Sequence, residues 1–394
     1  MQSTPLPPQL DTLSDEERSA LLTDRSLRSL TDVFATLPDP RSCHGKRYEL
    51  SFLLLCLVAA VLCQSNSLDA VSQWCRDHGA LLRRVFGPLS HLTPSGSLYR
   101  WLLPQLDVAR LEWALAGWMA TTRPRTDHEP VALDGKTIRG AGVGKGDQPD
   151  LVSITTHQTQ ETLLQVRIPA GTNEIPVGRE LLGWVRVQDR IVTADAHHAQ
   201  TDFAQCVLDG GGHYVLCLKE NWPALHAEVA TYFADPAAVC TLAETRERGR
   251  GRREHRTLRV TTELGAYLTA FPGLTQVGEI TRTTERAGRV QEQTTEYYLT
   301  DCSPQRLDAA AFLAVIRAHW SIESHHWIRD MVFGEDRSAL RSGSAPQLLA
   351  ALRNAAETLL RRAGWEEITA ARRHLAARPH KALTLVRRRF PARC

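Results

Sequence analysis

At Arg123 the periodicity of this chain changes, and the change excludes any single uniform architecture. Before it, apolar residues recur at steps of three and four, the spacing that gathers them on one face of a helix. SLTDVFATLPDPR predicts a short helix stopped by Pro38 and Pro40, since proline cannot extend the hydrogen-bond ladder. Leu50 to Cys63, LSFLLLCLVAAVLC, is apolar throughout. At about 14 residues it falls short of the roughly 20 that a membrane span needs, so it predicts a buried core helix. Ser67, and Ser95 or Ser97, stand where helix N-caps belong, and Gly79 and Gly87 punctuate. SGSLYRWL resembles the second member of a helix-turn-helix, which suits DNA binding; a packing or dimerising bundle suits the same pattern. The predicted helical region covers residues 26–122, after a Pro-rich and then charged stretch, residues 1–25, read as a flexible lead-in.

After Arg123 the pattern alternates. TRPRTDHEP is a linker by composition, and Val131 to Leu133 is a short apolar strand that delivers Asp134 at its end. LVSITTHQTQETLLQVRIP reads as a hairpin turning at Gln158 to Thr162, and Glu174 to Val187 as a helix. Ile191 to Thr193 is a second strand that ends in Asp195, and HYVLCLKENWPAL a third, followed by Lys219, Glu220 and Asn221. Strands interleaved with helices predict an α/β domain over residues 123–360. Within it, residues 225–299 switch to alternating strands around the arginine-rich RERGRGRREHR, which predicts an antiparallel β insertion. Residues 361–394 are read as a basic tail.

Ala309 to Arg337 predicts one long helix on which Phe312, Ile316, His319, Glu323, His326 and Asp330 share a face. An unpaired carboxylate on a buried stripe costs several kcal/mol or loses its charge. Either Glu323 lies on a solvated edge with a surface salt bridge, or it meets a cation in a cleft. Asp134 and Asp195 are at strand ends, where turn formers, N-caps and active-site residues all occur. Three carboxylates within about 5 Å would repel by roughly 3 kcal/mol per pair at an effective dielectric of 20, so a converged cluster calls for divalent cations. Oxygen ligation suits Mg²⁺ or Mn²⁺, and two such ions suit phosphoryl transfer.

Charge points the same way. The net charge of +3 says little, but Arg246, Arg248, Arg250, Arg252, Arg253 and Arg256 crowd into one stretch, and the tail after Arg361 is rich in Arg and Lys. Such clusters mark a polyanion partner or a solubilising surface. Hydrophobic content of 43% and charged content of 23% exclude wholesale disorder. Nine dispersed cysteines without a C-x-x-C pair argue against a disulfide framework or a zinc finger, and imply reduced thiols in a cytoplasm. No signal peptide or membrane span is read in the chain.

ALDGKTIRGA, NEIPVGRELL, IVTADAHHAQ, HYVLCLKENWPAL and HWSIESHHWIRDMVFGEDRS, in that order, resemble the DDE transposases of bacterial insertion sequences, specifically the ISAs-type branch that includes the H-repeat-associated proteins. FATLPDPRSCHGKRYELSFLLLCLVAAVLC resembles the helical domain that precedes their catalytic domain, and the likeness runs from about Leu30 to Leu360. The resemblance implies an RNase H-like fold and Asp134, Asp195 and Glu323 as catalytic, metal-holding residues with two Mg²⁺ or Mn²⁺ ions. It also implies cleavage at terminal inverted repeats and strand transfer into target DNA, in a bacterial cytoplasm and on the nucleoid when bound. Its partner is double-stranded DNA, and a homodimer is the expected synaptic assembly. A nuclease without strand transfer, or an inactive relative that only binds DNA, are the alternatives.

One departure is plain. Relatives carry Tyr, Arg, Glu and Lys on the last helix where this chain has Ile316, His319, Glu323 and Asp330. Phosphate contacts are then expected from Lys136, Arg139, Lys219, Asn221, a protonated His319, and Arg246, Arg248, Arg250, Arg252 and Arg253, with His326 and Asp330 supporting the metal ligands. Ion-pair or surface roles are the alternative for Lys136, Arg139 and Lys219. His197, His198, His325 and His326 are read as structural or phosphate-contacting, because adjacent histidines on a helix point about 100° apart. Trp320 and Trp327 are read as core, and Trp222 as core or a base-stacking platform.

Overall fold

The computed structural model describes residues 13–42, 46–87, 93–124, 128–142, 148–219, 221–249, 251–263, 271–286 and 289–392. Its helical part is organised around α3 (Leu50–Leu62), whose side chains are buried on nearly every side. No amphipathic helix could fill that place, because α3 is enclosed by α2 (Leu30–Ala35), α4 (Leu68–Asp77) and three helices from the far end of the chain: α13 (Ala345–Arg362), α14 (Ile368–Ala376) and α15 (Pro379–Val386). Two expected caps form: Ser67 Oγ accepts from Ala70 N–H, and Ser95 Oγ from Leu98 N–H, opening α6 (Gly96–Leu102) after α5 (Gly79–Phe86). Tyr99 of α6 is buried and its hydroxyl donates to the Leu53 carbonyl, so this segment packs into the bundle. No helix among the described residues is long and apolar enough to cross a membrane.

Two boundary readings need correction. Within the stretch read as a flexible lead-in, α1 (Asp15–Thr23) opens on a capping box between Ser14 and Glu17 and docks on α7 (Val108–Thr122). Gly117 permits the approach, since a Cβ there would stand 2.1 Å from the Leu21 carbonyl oxygen. Arg18 is buried over the rings of Trp113 and Trp184. The stretch read as a basic tail is likewise part of the core. Arg372 donates to the Val61 carbonyl at the end of α3, and Arg362 lies against Trp118 and Phe390. These arginines replace solvent with backbone carbonyls and aromatic faces, which composition alone does not reveal.

A single nine-stranded sheet carries the rest, in the order β3-β2-β1-β4-β5-β9-β8-β7-β6. β1 (Val131–Thr137), β2 (Asp150–Thr156) and β3 (Thr162–Arg167) form an antiparallel meander. β4 (Ile191–Ala194) and β5 (His213–Leu218) then add parallel to β1, with Leu133 opposite Ala194. Helix α8 (Glu174–Trp184) connects β3 to β4. The antiparallel strands β6 (Thr241–Gly249), β7 (Arg252–Thr261), β8 (Gln276–Arg286) and β9 (Arg289–Thr300) are fused to this sheet, because β9 pairs with β5 from Val215↔Thr300 to Leu218↔Tyr297.

The long helix expected over Ala309 to Arg337 is interrupted. α11 (Ala309–His319) stops at Trp320, where ψ of −7° breaks the ladder; α12 (Ser321–Trp327) follows, and Ile328–Val332 form a π-helical turn. Each break shifts the side-chain phase, so the expected common face does not persist. Phe312 and Ile316 enter the core, whereas Glu323 and Trp327 are exposed. Trp320 meets the Arg282 guanidinium 5.0 Å from its ring centre.

Candidate active site

Asp134 lies within β1, immediately after the buried run Val131–Leu133, and Asp195 follows the last residue of the neighbouring strand β4. The parallel register therefore brings the two residues side by side just where the β1–β4 pairing ends, at Leu133↔Ala194. Asp195 caps the turn that follows it: its Oδ1 accepts from the N–H groups of His197 at 3.0 Å and His198 at 3.4 Å. Its N-cap role and its place in the cluster are compatible, because the second oxygen stays outside that bond and the side chain is 43% exposed.

A carboxylate that sequence reasoning passed over completes the group. Glu174, in the first turn of α8, places one donor atom within 4.8 Å of donor atoms on both Asp195 and His197. Among the described residues Asp134, Asp195 and Glu323 do not themselves close to that distance. The Asp134 carboxyl is nonetheless pushed up to about 7, first by burial and then by Asp195, Glu174 and, last, Glu323. Burial and Asp195 also raise Glu174. An acid in a first helical turn is an ordinary N-terminal preference, so nothing in the sequence singles Glu174 out.

The histidines act in pairs. Thr193 Oγ1 lies 2.8 Å from His157 Nε2 and 2.7 Å from His319 Nδ1, linking β4 to α11 through buried Thr193 and His157 and half-buried His319. Burial drives His157 down to about 3 and His319 down to about 4, so His319 is neutral near pH 7. In this structure, then, the His319 ring that was expected to meet phosphate when protonated is neutral and bonded through Nδ1 to Thr193. His326 Nδ1 lies 3.6 Å from Asp134 Oδ2, behind the cluster, and burial holds it down to about 2.

The expected phosphate contacts divide. The Lys136 side chain is 8% exposed and its ammonium is paired with Asp330 and, at 2.9 Å, with Glu335, so in this structure both Lys136 and Asp330 are engaged in an ion pair. Burial works to raise Glu335, but Arg329, Arg353 and Lys136 hold it well below the carboxylate range. Asn221 braces the turn after Asp195 by donating to the Ala196 carbonyl at 2.8 Å. Trp222 donates to the Ala199 carbonyl and packs edge-on to Phe271, which makes it structural. Arg139 and Lys219 are exposed, and the Lys219 ammonium lies 3.9 Å from Glu296. Arg246, Arg248, Arg252 and Arg253 are exposed toward the far end of β6 and β7; Arg246 and Arg252 pair with Glu244 and Glu254, whereas Arg256 is held by Glu247 and Glu254. Arg250 lies outside the described residues.

Comparison with known proteins identifies a family. The model of the transposase DDE domain matches residues 125–359, and the model of the segment associated with that domain matches residues 31–119. The chain is similar to YncI of Escherichia coli O157:H7, which bears a transposase name, at 29% identity over 85% of this chain and 88% of that one. It is also similar to the H repeat-associated protein YhhI of Escherichia coli (strain K12), at 24% identity over 85% of this chain and 90% of that one. A piggyBac transposase synaptic complex aligns with a TM-score of 0.46 at 9% identity over 93% of this chain and 80% of that one, a likeness too slight to bear on the fold.

Proposed function

The chain belongs to the family of transposases with a DDE domain, and from that membership we propose that it cuts DNA at the ends of an insertion sequence and joins the freed ends to target DNA. The observation that carries the reading is the juxtaposition of Asp134 and Asp195 where the β1–β4 pairing ends, with Glu323 on α12 among the acids that raise the Asp134 carboxyl. We read the order β3-β2-β1-β4-β5, three antiparallel strands and then two parallel to β1, as RNase H-like.

The donor chemistry fits a hard divalent cation: the cluster is carboxylate-rich and mutually repulsive, and Asp134 is short of a counter-charge. Asp134, Asp195 and Glu323 would hold two Mg²⁺ or Mn²⁺ ions, which when bound supply activation of the attacking hydroxyl and stabilisation of the leaving oxygen. The chain's own residues do the positioning. The turn after Asp195 fixes one carboxylate oxygen and leaves the other for a ligand. The His157–Thr193–His319 chain ties the strand bearing Asp195 to the helix that leads into Glu323. Half-buried His326, 3.6 Å from Asp134 Oδ2, would limit the motion of Asp134.

Double-stranded DNA, the element's inverted repeats and its target, is the partner in this reading. Arg139 and Lys219 would grip phosphates beside the carboxylates, and Arg246, Arg248, Arg252 and Arg253 would do so further along the sheet. A homodimer would hold two ends together, in the cytoplasm and on the nucleoid. Replacing Asp195→Asn should abolish cleavage of an end-containing duplex in Mg²⁺ while leaving the mobility shift with the same duplex intact. Normal cleavage by that variant would overturn the assignment.

A further inference from the structure

We propose that Glu174 is a further carboxylate of the metal pocket, and that Glu174, Asp195 and His197 together bind one divalent cation in the absence of DNA, with a preference for Mn²⁺ over Mg²⁺. The inference rests on the transposase reading above, and adds a ligand set to it. Three separate features point to Glu174.

The first is donor geometry. His197 Nδ1 lies 3.3 Å from Glu174 Oε1 and 3.7 Å from Asp195 Oδ2, so two carboxylates and an imidazole converge from the start of α8 and the turn after β4. An imidazole among oxygen donors favours Mn²⁺, because Mg²⁺ takes oxygen almost exclusively. The second is space. A Cβ on Gly135 would stand 2.1 Å from Glu174 Oε2, so the glycine after Asp134 leaves room for this rotamer of Glu174, and a methyl there would swing the carboxylate aside. The third is a buried donor without a bond. His198 is 1% exposed, neither ring nitrogen makes a hydrogen bond, and its Nε2 is 3.8 Å from Glu174 Oε1. Burying such a group unpaired is costly, and a modest turn of the Glu174 carboxylate onto a cation would close that gap. Carboxylates that ligate metals are commonly held by such outer hydrogen bonds.

The test uses the full-length protein without DNA, titrated with MnCl₂ while free Mn²⁺ is followed by electron paramagnetic resonance, with MgCl₂ as competitor. Glu174→Gln should weaken Mn²⁺ binding by at least about tenfold, and Gly135→Ala, which leaves Glu174 itself intact, should weaken it in the same direction. His197→Ala should narrow the preference for Mn²⁺ over Mg²⁺. Circular dichroism in EDTA reports whether each variant is folded; Glu174→Asp, which keeps the charge, replaces Glu174→Gln if the latter is not. If Glu174→Gln binds Mn²⁺ within about threefold of the unaltered protein while Asp195→Asn loses it, Glu174 is no ligand and the inference falls, with the three-carboxylate reading untouched. If Asp195→Asn also binds normally and still cleaves DNA, the underlying reading falls with it.

Discussion

Replacing Glu335→Gln is the sharpest single perturbation of this architecture. Glu335 is fully buried and its carboxylate serves Lys136 on β1, Arg329 in the π-helical turn and Arg353 on α13, at 2.9, 2.9 and 3.5 Å. At an effective dielectric of 20, each contact near 3 Å is worth roughly 5 kcal/mol of attraction before desolvation is subtracted. The amide keeps the shape and removes the charge, leaving three buried cations with Asp330 as their remaining acid. Breaking a buried pair from one side costs about 3–5 kcal/mol, and here three cations are stranded at once, so that range is a lower bound. Urea unfolding followed by tryptophan fluorescence should show the midpoint falling by at least about 1 M. Adding Lys136→Met to Glu335→Gln should recover part of the loss, with a coupling of about 1 kcal/mol or more. A cost for Glu335→Gln below about 0.5 kcal/mol, or strict additivity of the two changes, would refute the account of the network as a single charged unit.

Glu112 offers a pH test. It is buried on α7, accepting from the side-chain amides of Gln165 and Gln347, and burial pushes it from 4.5 up to about 8. Since the folded value lies above the unfolded one, the stability it confers is full below about 4.5 and is lost as pH rises through about 8, by several kcal/mol. Glu112→Gln should flatten the stability profile over that window in urea unfolding; an unchanged profile would show that the group is not protonated there. For DNA, Arg248→Ala with Arg253→Ala should reduce the slope of log affinity against log salt by about 0.9 for each phosphate contact removed, measured by fluorescence anisotropy. An identical slope would remove these side chains from the interface.

Periodicity made much of the fold legible. The helix-to-strand boundary fell within a residue or two of the end of α7 at Thr122, the core helix matched α3, and the strands ahead of Asp134 and Asp195 are β1 and β4. These features are local: they depend on which faces of a segment are apolar and on caps such as Ser67. The same local reasoning joined α11 and α12 into one helix, because the residues around Trp320 are all compatible with continuation. At the break Trp320 lies against Arg282 from β8, a contact between distant segments that local pattern does not reveal.

Lys136 and Glu174 show where local reasoning ends. A lysine after Asp-Gly reads as a phosphate contact, yet its partners Asp330 and Glu335 lie 194 and 199 residues away and no pattern in the chain announces them. Glu174 reads as a helix-starting acid, and becomes a neighbour of Asp195 through the path of α8 across the sheet and the space left at Gly135. The amino-acid sequence by itself determined the types of most elements, their order and the apolar strand runs that lead into Asp134 and Asp195, because those follow from side-chain period and capping. Only the tertiary structure decided which charges are spent inside, that the basic C-terminal segment is core, and which acid joins the two aspartates. Those outcomes depend on approach distances and burial, which are properties of the packed molecule as a whole.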